Sequence, residues 1–159
     1  MTIRWNSWRR ALGRAAVSGS VAALVSTVAL AVLGRREAGS AAAPVNAVSH
    51  WYFGDRAARK DDVSLKYTLS GYLTHHAASV FWATLFERLF ERRSWPQNTA
   101  PLVPAAAVAA MAAAVDYTVT PKRLTPGYEK RLSIPALVVV YSAFAAGLAL
   151  GRGGRSLLR

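Results

Sequence analysis

The chain has no cysteine, which excludes a disulfide, a thiolate metal site and a cysteine nucleophile, and leaves the redox compartment unreadable. Acid is scarce: 8 Asp and Glu stand against 20 Lys and Arg. Histidine is scarcer still, with three in the chain. The adjacent pair His75-His76 lacks the i, i+4 spacing of helical zinc motifs, so no metal and no cofactor are expected. No serine stands in a glycine-rich elbow: Ser49 beside His50, and Ser79 near the histidine pair, carry no nucleophile signature. Enzyme chemistry is therefore not indicated, and a membrane-embedded enzyme is the remotest reading. There is no internal repeat.

Apolar residues are what the chain has, 53% of the total. They gather into four blocks: Ala15 to Leu33, Leu69 to Phe86, Pro101 to Val119 and Ile134 to Leu150. Each is close to the roughly 17–25 residues that a helix needs to cross a hydrocarbon core of about 30 Å. Inside a bilayer every backbone N–H and C=O must be bonded internally, so segments of this length are read as helices. The expected fold is all-α, a single domain over residues 1–159, with four transmembrane helices at 15–33, 69–90, 101–120 and 134–151. The first loop is expected to carry a short interfacial helix over 44–53. Pro44 stands near its start, Gly54 is its stop, and Trp51, Tyr52 and Phe53 suit the headgroup layer.

The net charge of +12 would point to nucleic acid in a soluble chain. Here the basic residues flank the apolar blocks, as they do when excluded from lipid and drawn to anionic headgroups. No basic face is interleaved with stacking aromatics, so the expected partner is the lipid bilayer and not nucleic acid. Arginine far outnumbers lysine and alanine is abundant, which hints at a GC-rich bacterial genome and the bacterial cytoplasmic (inner) membrane. Arg4, Arg9, Arg10 and Arg14 precede the first apolar block as in an export signal. That block is longer than a signal core of about 7–15 residues, and Arg35-Arg36-Glu37 separates it from the small residues Ser40 to Ala43, so it is read as a retained first span. Charge barely sets orientation. Ten basic residues fall on each side, and only the four arginines before the first span, against two directly after it, favour cytoplasmic termini.

Helices in lipid associate by close packing, which favours small residues at every fourth position. Gly19, Ala23, Thr27 and Ala31 form such a strip on the first span, and Ala143, Gly147 and Gly151 on the fourth. These strips pack the bundle internally, or one of them, most readily that of the fourth span, forms a homodimer face. The third span, largely alanine from Ala105 to Ala114, suits the centre of the bundle.

Ionisable groups at membrane depth are costly and usually face a partner or cavity. His75 and His76 on the second span and Asp116 on the third fall in one layer when the two helices run antiparallel, on the side of the loop that carries His50 and Asp55. Adjacent helical positions differ by about 100°, so only one histidine of the pair can face Asp116. Such a layer suits a structural hydrogen bond or ion pair, a proton or ion pathway, or, more weakly, a metal site. Glu87 and Glu91 are expected to pair with their own arginine neighbours along the helix.

The run from Pro44 through Asn46, Ser49-His50-Trp51 and Gly54-Asp55, followed by Tyr67 to Trp82, resembles small bacterial inner-membrane proteins. The resemblance covers about a quarter of the chain and implies no activity, cofactor or site residue. The function expected is that of a structural or accessory subunit acting by helix packing, in a homo-oligomer or a larger membrane complex. The alternative is a small transporter or proton-conducting bundle using the His/Asp layer.

Overall fold

A computed structural model describes residues 2–91 and 100–153, the side chains of residues 2–7 and 91 excepted. The expected link over Ser94 to Asn98 lies outside the described residues. All described secondary structure is helical. α1 spans Thr2–Glu37, α2 Ala43–Val48, α3 His50–Phe53, α4 Ser70–Glu91, α5 Leu102–Ala114 and α6 Ile134–Gly153. A π-helical turn over Leu65–Leu69 leads into α4, and a second over Val115–Val119 ends α5. Three stretches are long and apolar enough to cross a membrane: Trp8–Glu37, Leu102–Val119 and Ile134–Gly153. α4 is as long, but it carries His75, His76, Glu87, Arg88 and Glu91.

α1 lies between α4 and α6 and packs along both. This corrects the expectation that the alanine-rich third span is central: α5 packs mainly on α6, and many of its alanines, among them Ala106, Ala107 and Ala110, are exposed. The glycine strips explain the arrangement. A Cβ on Gly147 would lie 2.5 Å from the Ala22 Cα, one on Gly151 2.6 Å from the Ser18 Cα, and one on Gly19 2.7 Å from the Val80 Cα. The backbones touch because no side chain holds them apart. Gly147 and Gly151 thus serve the α1–α6 contact within one chain and do not face outward for a dimer.

Two apolar clusters fill the bundle. Phe86, Val108, Phe144 and Leu148 meet Ala15, Ala22 and Ala83 towards the end that carries the termini. Leu30, Val45, Val48, Tyr128 and Val140 pack at the other end. Large apolar side chains such as Leu24, Val28, Phe81, Val138 and Leu150 remain exposed around the outside, a surface that water would not favour at this extent.

The first loop folds as two short helices, α2 and α3, and much of it is packed inside the protein. Residues 42–50 are buried, and α2 is wedged between α1, α4 and the 120–133 loop. Glycine permits this. A Cβ on Gly71 would sit 2.0 Å from the Val45 carbonyl oxygen, and Gly127, at φ +96°, leaves room for the Ala47 carbonyl and the His50 ring. Buried Asn46 closes the loop, donating to the Lys60 and Asp62 carbonyls at 2.9 and 3.0 Å and accepting from Thr68 Oγ1 at 2.6 Å. The charged stretch after Gly54 is tied down as well: Asp55 pairs with Lys130 and Asp61 with Arg131, each at 2.5 Å. The Lys130 ammonium holds the Asp55 carboxyl below its ordinary pKa of 3.8.

Candidate functional site

The two histidines of α4 turn towards α1. Ser26 Oγ donates to the Ala22 carbonyl at 2.7 Å, so its single proton is committed and it accepts Nε2–H of His75 at 2.9 Å. Ser20 repeats the pattern, donating to Ala16 at 2.6 Å and accepting from His76 Nε2 at 3.2 Å. The Tyr72 hydroxyl lies 3.3 Å from His76 Nδ1 and completes a consistent tautomer.

Asp116 is bonded elsewhere. Its Oδ2 accepts from the Tyr141 hydroxyl of α6 at 2.6 Å, and the Tyr128 hydroxyl donates in turn to Tyr141 at 3.1 Å. The His75 ring meets the Tyr128 ring edge to face at 6.4 Å. His75 and Asp116 line one cavity, but the expected bond between α4 and α5 is replaced by two tyrosines standing between them. The physical reason is the splay of the helices. α4 and α5 pack together through Ala83, Phe86, Ala105 and Val108 and part towards the loop end, leaving the histidines to find partners on α1. Burial pushes the Tyr128 phenol well above its ordinary pKa of 10.0, which keeps it a donor.

The space between the parted helices is a cavity of about 660 Å³, within the range of about 300–1,000 Å³ typical of small-molecule sites. Leu73, Ala78, Phe81 and Trp82 of α4 form one wall, and Ala112, Val115 and Asp116 the other. Val140, Tyr141 and Phe144 of α6 stand behind, and Val48, Trp51 and Tyr128 close the loop end. The π-helical turn at Val115–Val119, closed by the Thr120 N–H on the Val115 carbonyl at 2.9 Å, carries Asp116 at the polar end; such turns recur at functional sites.

His50 does not join this layer. Its ring bonds the Ala47 carbonyl through Nδ1 at 2.9 Å, and Nε2 is buried without a partner. His50 lines instead a separate cavity of about 740 Å³ with Asp55, Lys122, Arg123 and Lys130. Among the described residues no three His, Asp or Glu side chains gather as metal ligands would.

At the opposite end Glu87 is buried, and it does not pair with a neighbour on its own helix. It accepts from Ser18 Oγ at 3.0 Å and forms an ion pair with Arg152 of α6, whose guanidinium stacks 3.7 Å from the Phe90 ring centroid. Sequence reasoning passed over Ser18, Ser20 and Ser26, the tyrosines 128 and 141, and Arg152. A signal existed for the serines. All lie on one long apolar helix, where a hydroxyl away from lipid needs a partner as much as an imidazole does.

The fold and the site together define an all-helical bundle with helices long and apolar enough to cross a membrane, holding a cleft that is apolar along its length and polar at one end. No family model, curated protein or solved structure matches the chain.

Proposed function

We propose that the chain is a four-span protein of the bacterial cytoplasmic membrane, with cytoplasmic termini, that acts as an accessory subunit by packing against partners within the bilayer. The observation that carries the fourth span is where α4 turns its polar groups. His75, His76 and Glu87 all bond serines of α1, while Leu73 and Phe81 are exposed. A helix whose costly groups are satisfied from within is compatible with lipid despite its lower hydropathy. The accessory role is supported by the exposed small side chains of α5. Ala106 and Ala110, together with Ser142 of α6, line an outer groove of about 700 Å³ suited to another helix.

Reporters active in a single compartment, fused to each terminus, test the topology; both ends should report the cytoplasm, and opposite signals would remove α4 from the membrane. For the accessory role, intact-mass measurement after purification in mild detergent should give a species heavier than the 17.1 kDa chain. A bare monomer rejects it. One observation favours a second reading, a proton path: the hydrogen-bonded chain from Tyr128 through Tyr141 to Asp116. On that reading Tyr141→Phe abolishes pH-driven flux in proteoliposomes while the fold survives.

A further inference from the structure

The cleft between α4 and α5 is poor in hydrogen-bond donors. Ser26 and Ser79 donate to the Ala22 and His75 carbonyls at 2.7 and 2.8 Å. Ser70 donates to Lys66, and Thr120 to Val115 at 3.0 Å. The Trp51 indole donates to the Thr125 carbonyl at 2.9 Å. The tyrosine protons run from Tyr128 to Tyr141 to Asp116. Tyr52, the exception, stands at the rim and is 62% exposed. What the polar end still offers is an acceptor. Among the described residues Oδ1 of Asp116 has no partner.

We propose that this cleft binds a membrane-dissolved amphiphile with one apolar tail and a small head that donates hydrogen bonds, a hydroxyl or an ammonium, and that it discriminates against the same tail ending in a carboxylate. The head meets Asp116 Oδ1. The tail runs past Leu73, Phe81, Trp82 and Phe144, and entry is lateral, between α4 and α5, where Leu73 and Phe81 are exposed. Discrimination follows from the unmet Asp116 oxygen: a donor head completes it, whereas a carboxylate would set two negative acceptors against each other in a weakly screened site. The inference rests on α4 lying in the bilayer. The terminal reporters decide that point by themselves, and the cleft is tested on protein for which they agree.

The full-length protein in phosphatidylcholine nanodiscs is exposed at neutral pH to three photoactivatable probes with the same tail, ending in an alcohol, an amine or a carboxylic acid. Cross-linked residues are then mapped. The alcohol, the amine or both should label Leu73, Phe81 or Trp82 with about tenfold preference over the acid, the factor expected of a hydrogen bond to a charged group. Asp116→Asn supplies an amide donor and should erase the preference. Ala78→Phe, at an exposed position on the cleft wall, should block labelling by every probe without disturbing the core. Equal labelling by the acid, or labelling of these residues that survives Ala78→Phe, overturns the proposal and marks the label as surrounding lipid.

Discussion

Replacing Arg152 by alanine isolates the most deeply buried charge among the described residues. The Glu87 side chain is 1% exposed, and the Arg152 side chain opposite it is 25% exposed. Removing the cation leaves a carboxylate with Ser18 as its remaining described partner. Breaking a buried ion pair on one side costs about 3–5 kcal/mol. The Ser18 bond survives and offsets about 1 kcal/mol or more, while loss of the guanidinium from the Phe90 face adds about 1–2 kcal/mol. The net expectation is a destabilisation of about 4 kcal/mol. Arg152→Lys keeps the charge but loses the planar fork and the stacking, so it should cost about 1–2 kcal/mol. The double variant Glu87→Leu/Arg152→Leu should return close to the parent, because apolar replacement of a whole buried pair is often neutral. Equilibrium unfolding by denaturing detergent in mild micelles reads all three. A loss under about 0.5 kcal/mol for Arg152→Ala, or a double variant no more stable than that single one, would refute the view that this pair is buried and coupled.

Three further outcomes are expected. Gly71→Ala should abolish the folded state, since its Cβ would lie 2.0 Å from the Val45 carbonyl oxygen, whereas Gly71→Ser should fail in the same way and Ala78→Ser, at an exposed position of the same helix, should be close to neutral; thermal melts in detergent compare them. His75→Ala and His76→Ala should each cost about 1 kcal/mol by removing a bond to α1, and melts in which only one of them matters would favour a pairing with Asp116 instead. The Asp55–Lys130 pair contributes stability that is fully present above the ordinary carboxylate pKa of 3.8 and is lost as pH falls through the depressed value. Melts of the parent at falling pH should show this loss, and Lys130→Met should remove it.

The helical class and the element positions were legible because length and apolar content act locally. α4 begins within a residue of the expected Leu69 and α6 starts at the expected Ile134. What escaped was the arrangement in space. Alanine content pointed to α5 as the central helix, but close approach needs a small residue opposite backbone, and the glycines that provide it are Gly19, Gly147 and Gly151. Their contacts place α1 in the middle. The 44–53 segment read as interfacial from its aromatic residues, of which Tyr52 is exposed; the burial of residues 44–50 depends on Gly71 and Gly127, distant in sequence, which no local pattern connects to them.

The candidate site was half legible for the same reason. Depth along a helix follows from residue count, and His75 and Asp116, expected in one layer, both line the same cavity. Direction around the axis does not follow, because it depends on which neighbour offers a partner. Ser20 and Ser26 on α1 are bonded back to their own carbonyls and are free to accept from the histidines. Asp116 is then left to Tyr141, the nearest donor on α6. The consequence reaches beyond the histidines. The histidines turned to α1 and Asp116 turned to α6 leave no side-chain bond between α4 and α5 at this end among the described residues, and the cleft with the open Oδ1 of Asp116 lies between them.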